Sequence, residues 1–128
     1  METRARSKGV EHWTQKGDVK LFLWRKPPPS GDAPKGTILF VHGSSMAGQP
    51  TFDLTVPGRP DSSVMDWFAQ RGFDTWALDM EGYGRSDKKR PINCDIANGA
   101  DDLDAGSKYI MEKTRARKLM LYLSLIHI

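Results

Sequence analysis

The chain has 128 residues, with 19 Lys and Arg against 16 Asp and Glu and a formal net charge of +3. That length fits one domain, and four Trp, five Phe and ten Leu exclude a disordered chain because they supply surface to bury. The single cysteine, Cys94, excludes an internal disulfide framework and cysteine-rich zinc modules.

Residues 1–9 are polar and read as an N-terminal tail, without the apolar centre of a signal peptide. Residues 10–14 predict a short strand that turns through Lys16-Gly17-Asp18 into a second strand at 19–24. Val19, Leu21 and Leu23 share one face of that second strand. Pro27-Pro28-Pro29-Ser30-Gly31 ends it, since proline removes ladder donors and fixes φ. Thr37-Ile38-Leu39-Phe40-Val41 is apolar without alternation, the pattern of a strand buried on both faces. Residues 43–60 hold three glycines and three prolines and read as a long loop, a type often functional in a compact domain.

Asp61-Ser62-Ser63 then offer helix caps, with Ser63 and Asp66 at capping-box spacing. Val64, Trp67, Phe68 and Arg71 follow a helical period, and Gly72 suits the left-handed residue that closes a helix. Residues 73–78 predict a strand and 82–91 a loop. Asp95 caps a second helix whose apolar stripe is Ile96, Ala100, Leu103, Ile110 and Met111, weakened by Gly99 and Gly106. Asp101, Asp102 and Asp104 read as a solvated face near its N-terminus. They do not make a calcium loop, because one begun at Asp102 would carry Ser107 where glycine is needed and Lys113 where glutamate is needed. Residues 118–123 begin another strand. Strands alternating with helices predict an α/β domain, with a mostly parallel sheet and helices on its flanks.

Neither basic stretch, 85–90 or 113–118, makes the stripe that nucleic-acid binding requires, although the isoelectric point is near 9.1. The longest apolar run, 119–128, is too short to span a bilayer as a helix. The expectation is a cytoplasmic protein with no nucleic-acid and no membrane partner.

Two segments carry chemistry. Leu39-Phe40-Val41-His42-Gly43-Ser44-Ser45 is a buried strand running into a His-Gly turn. Leu78-Asp79-Met80-Glu81-Gly82-Tyr83-Gly84-Arg85-Ser86-Asp87 follows at the end of the next strand. Gly82-Tyr83-Gly84 is not a dinucleotide fingerprint, since the third glycine and an immediately following helix are both missing.

Together these segments resemble the N-terminal half of an α/β-hydrolase, over residues 10–122. The resemblance implies an oxyanion hole in which Ser44 N–H is a donor. Gly43 would leave room for close backbone approach, and His42 would position the turn without acting as a base. Asp79, Gly82, Gly84 and Ser86 would be a structural turn, with Met46 and Phe52 as apolar walls of an acyl pocket. The implied parent hydrolyses a carboxylic ester or related acyl bond of a small molecule through a serine nucleophile. Water is the second substrate, and no metal or organic cofactor is needed. The family's Gly-x-Ser-x-Gly elbow is absent, because Ser124 is flanked by Leu123 and Leu125, and the later acid and histidine are absent too. The chain by itself is therefore expected to be inactive, at most a binding fragment. The last six residues, Leu-Ser-Leu-Ile-His-Ile, also match one reading frame of a common transposase sequencing adapter, CTGTCTCTTATACACATC. That match marks 123–128 as an expected artefactual tail on one incomplete domain.

Overall fold

The computed structural model describes residues 7–43, 46–59, 61–90 and 96–124. Five strands and three helices follow in the order β1 (Val10–Lys16), β2 (Val19–Lys26), β3 (Gly36–Val41), α1 (Gly48–Phe52), α2 (Val64–Ala69), β4 (Phe73–Leu78), α3 (Ile96–Thr114) and β5 (Met120–Leu123). They form one sheet in the order β1-β2-β4-β3-β5.

The sheet is mixed rather than mostly parallel. β1 pairs antiparallel with β2, and β2 antiparallel with β4, while β3 pairs parallel with both β4 and β5. The reason lies in the connections. Gly17, at φ 58, and Asp18 join β1 to β2 with Lys16 opposite Val19, and so short a turn allows only a hairpin. The links from β3 to β4 and from β4 to β5 each carry helix, which parallel pairing requires.

β3 is buried on both faces, as its lack of alternation predicts. Leu39 and Val41 join Leu21, Leu23, Trp76, Leu78 and Ile110 on the α3 side. Ile38 and Phe40 join Ala77, Phe52 and Met65 on the α1–α2 side. β2 is likewise buried on both faces, since Phe22 is as hidden as Leu21 and Leu23.

Three helical expectations change. The 43–60 segment contains the short helix α1. In α2, Ser63 Oγ accepts the Asp66 N–H at 3.0 Å, and Gly72 takes φ 96 beyond the C-terminus. The buried residues of α2 are nonetheless Met65, Asp66 and Ala69, while Trp67 faces outward under the Arg71 guanidinium, 3.7 Å from the ring centroid. In α3 the buried line is Gly99, Asp102, Gly106 and Ile110, with Ile96 and Ala100 exposed and Leu103 and Met111 partly covered. Both glycines sit close to the sheet: a Cβ at Gly99 would fall 2.7 Å from Met80 Cε, and one at Gly106 would be in ordinary contact with Leu78. Asp102 is fully buried, not solvated. Cys94 and the proposed cap Asp95 lie outside the described residues.

The two sheet edges differ. β1 exposes Glu11 and Gln15 alongside the half-exposed Val10 and Trp13, and a charge on an edge discourages pairing with another chain. β5 presents Met120, Leu121, Tyr122 and Leu123, each about half exposed and none charged. Ser124 N–H extends the ladder by donating to Val41 O at 2.9 Å. These ladder bonds use backbone groups alone, so they do not depend on the side chains that 123 and 124 carry. The chain alone is expected to self-associate through β5. Light scattering across a concentration series should show the mass rising, and Leu121→Lys should reduce the rise. A concentration-independent monomer with a sharp thermal transition would contradict this.

Candidate active site at the ends of β3 and β4

β3 and β4 run parallel with Val41 opposite Leu78, so the residues that follow each strand emerge side by side. Ligands of open α/β sheets bind in the crevice at such carboxyl ends.

His42 is 1% exposed, and both its ring nitrogens are engaged. Nε2 accepts the Met80 N–H at 3.0 Å, and Nδ1 lies 2.8 Å from Gly43 O. A carbonyl can only accept, so Nδ1 carries the proton and the partners fix the tautomer. The ring bridges the ends of β3 and β4 and has no nitrogen left to act as a base. Gly43 is buried beside it. Ser44, the implied oxyanion donor, lies outside the described residues.

The turn after β4 is closed by Asp79 and Ser86. Asp79 is 3% exposed; its Oδ1 accepts Gly48 N–H at 2.7 Å and its Oδ2 accepts Arg85 N–H at 3.0 Å. The Ser86 hydroxyl donates to Asp79 O and accepts Phe22 N–H at 2.9 Å, so the hydroxyl is used within the turn. Gly82 and Gly84 take φ 89 and 54. A Cβ at Gly84 would also sit 2.2 Å from Asp79 Oδ2, so only glycine fits there.

A cleft of about 400 Å³ opens between α1 and this turn, lined by residues that include Ala47, Gln49, Leu54, Asp79 and Arg85. Met46 is half exposed and does not line it. Phe52 is 3% exposed and packs on Phe40 with ring centroids 5.0 Å apart, within the core beneath the cleft.

Two polar clusters without a local sequence signal hold this region. On the α3 side, Lys16 Nζ bonds Glu81 Oε1 at 2.8 Å and Asn98 Oδ1 at 2.9 Å and pairs with Asp102, which also accepts Glu81 N–H at 2.9 Å. Burial alone would lower the Lys16 pKa, but its bonds to Asp102 and Glu81 outweigh that and raise it. Arg90 adds two bonds to the Glu81 carboxylate, each 2.7 Å. On the α2 side, buried Lys26 Nζ bonds Asp53 at 2.7 Å and Asp66 at 2.8 Å. Asp53 accepts further bonds from Trp24 Nε1 at 2.8 Å and Ser63 Oγ at 2.6 Å.

The Glu81 carboxyl is held at about 2, below the ordinary 4.5, first by the Arg90 hydrogen bonds and then by Lys16, while burial opposes. A lowered pKa in the folded state means the contribution is complete above pH 4.5 and is lost as pH falls toward 2. Glu81→Gln should flatten this acid limb of stability by about 1–2 kcal/mol, allowing for solvent screening at half-exposed Arg90. An acid limb identical to that of the parent chain would contradict it.

Among the described residues, no His, Cys, Asp and Glu group is placed to hold a metal ion, and no helix is long and apolar enough to cross a membrane. His12 Nδ1 lies 2.8 Å from the Tyr109 hydroxyl, and no serine hydroxyl among the described residues joins either histidine ring.

No protein-family model and no curated protein matches the chain. Solved structures do. An esterase of Pyrococcus furiosus superposes with a TM-score of 0.64 at 20% identity, over 91% of this chain and 41% of its own. Est1E of Butyrivibrio proteoclasticus, solved with ferulic acid bound, gives 0.66 at 15% identity over 88% and 41%. An epoxide hydrolase of Vigna radiata gives 0.64 at 16% identity over 90% and 30%. This chain has part of the α/β-hydrolase fold. It spans less than half the length of each of these structures, and the α/β-hydrolase sheet is represented here by its five strands β1–β5.

Proposed function

We propose that the chain is the N-terminal part of an α/β-hydrolase whose whole protein hydrolyses a carboxylic ester or related acyl bond of a small molecule through a serine nucleophile. The observation that carries this reading is that His42 and Gly43, which follow β3, meet the Asp79–Ser86 turn at the ends of adjacent parallel strands, with a cleft beside them. In acyl transfer, negative charge gathers on one oxygen, and a preorganised N–H stabilises it without reorganisation. Ser44 N–H is the proposed donor, with Gly43 allowing close approach and His42 positioning the turn. The similar structures include an esterase and a protein holding ferulic acid, which favours acyl chemistry, although an epoxide hydrolase shares the same fold.

The 128-residue chain by itself is proposed to lack this activity. Ser86 has its hydroxyl bonded within its own turn, and His42 has both ring nitrogens bonded. The test uses a fluorophosphonate probe and a short-chain nitrophenyl ester, on this chain and on the product of the gene read beyond codon 122. The longer product should hydrolyse the ester and label at a serine beyond residue 122, while the 128-residue chain should do neither. Turnover by the short chain, or labelling of Ser86, would overturn the reading.

A further inference from the structure

The Asp79 carboxylate serves two loops that are separate in sequence. One oxygen takes the N–H of Gly48, the first residue of α1, in the segment after β3. The other takes the N–H of Arg85, in the turn after β4. The first N–H groups of a helix have no partner within it, so Gly48 N–H needs an outside acceptor once buried. Gly48 is itself tightly seated: a Cβ there would lie 3.0 Å from Ala77 Cβ and 3.2 Å from both Asp79 Oδ1 and Leu78 O. Gly84 closes the other side, its α-carbon so near that a Cβ would lie 2.2 Å from Asp79 Oδ2. Each carboxylate oxygen thus has a backbone donor from one loop, and each loop carries a glycine where a side chain would crowd the pair.

From this geometry we infer that Asp79 is a positioning residue that makes the loop after β3 and the turn after β4 move as one unit, fixing the two walls of the cleft relative to each other. Ala47 and Gln49 stand on one wall, Gly84 and Arg85 on the other, and Asp79 lies between them. A second bond between the same two connections, Met80 N–H to His42 Nε2, acts nearer the strand ends and holds the start of the loop after β3. Because His42 and Gly48 bracket Ser44 in sequence, the tie bears on the oxyanion donor only if the function proposed above is right. The tie itself does not rest on that function.

The test is hydrogen exchange of the Gly48 and Arg85 amides, read by mass spectrometry after quenching, which tolerates self-association. Asp79→Asn keeps the size of the side chain but only one acceptor oxygen. Its amide group must face one of the two N–H groups, so protection should fall about tenfold or more at one amide and persist at the other. Gly84→Ala should release the Gly48 amide by a similar factor, although the two lie in different loops, because the new methyl displaces the shared carboxylate. Strand amides of Leu39 and Phe40 should stay protected in both variants. The inference is overturned if Asp79→Asn exchanges like the parent chain at both amides. It is also overturned if Gly84→Ala leaves Gly48 protected, or exposes it only together with Leu39 and Phe40. Failure of the ester test with these exchange results intact would remove the function and leave the tie standing.

Discussion

Replacing Lys26 by methionine is expected to lower stability by about 3–5 kcal/mol, among the largest effects of any single change outside the glycines. The methionine refills most of the stem volume, so the loss is electrostatic. Lys26 is 7% exposed and lies between Asp53, 8% exposed, and Asp66, 3% exposed. Without the ammonium, two carboxylates share a buried site with no cation between them, and each has lost its shortest charged partner. Asp53 would keep the Trp24 and Ser63 hydrogen bonds, and Asp66 N–H would keep Ser63. Those bonds limit the loss but do not neutralise the charge. Adding Asp66→Asn to Lys26→Met should restore about 1–2 kcal/mol, since it removes one of the two uncompensated charges. Urea denaturation of the three chains checks both steps. A Lys26→Met midpoint equal to that of the parent chain would show that the pair contributes nothing. Because Asp53 follows α1 and Asp66 lies in α2, this cluster also holds the α1 side of the cleft to β2.

Trp76→Ala is expected to cost a comparable amount, about 3–5 kcal/mol, for a different reason. Trp76 is the largest fully buried side chain and lies centrally on β4, facing α3. It packs against a tilted His12 ring at 4.7 Å between centroids and edge-to-face against Tyr109 at 6.2 Å, and the Arg25 guanidinium lies 4.8 Å from its ring. Truncation leaves a cavity that strands on both sides prevent from collapsing. Trp76→Phe separates packing from hydrogen bonding. It keeps most of the ring contact and drops the indole N–H bond to Asp74, 3.1 Å long. Asp74 retains Arg25 through bonds of 2.9 and 3.0 Å, so this variant should lose only about 1–2 kcal/mol. A Phe variant as unstable as the Ala variant would assign the effect to the hydrogen bond instead.

The parts of this fold legible in the sequence are those written in local chemistry. The apolar run at 37–41 signals a strand buried on both faces, and Ser63 with Gly72 brackets a helix at the correct place. The antiparallel β1–β2 hairpin follows from Gly17 and Asp18. Strand order is less legible: β4 lies between β2 and β3, and nothing local to β2 indicates an antiparallel neighbour there. The face of α3 is misread for a physical reason. A helix that packs closely on a sheet buries its small residues, Gly99 and Gly106, so an apolar count points to the wrong stripe. Asp102 reads as one of three solvated aspartates because its partner Lys16 is 86 residues away, in β1. The Lys26–Asp53–Asp66 cluster is equally silent, with each member ordinary in its own segment.

At the site, the two turns are legible because each is a short motif at a strand end. What joins them is not. His42 meets Met80 and Asp79 meets Gly48 only when β3 and β4 lie parallel in register. Phe52 is buried in the core and Met46 is half exposed beside Ala47, which lines the cleft.

The proposal that these five strands begin a serine hydrolase is tested most directly by the DNA of the source gene across and beyond the codon for Tyr122. On that proposal the reading frame departs from Leu-Ser-Leu-Ile-His-Ile after Tyr122 and continues β5 into glycine, any residue, serine, any residue, glycine. A gene that encodes 123–128 as they stand and then stops would contradict it.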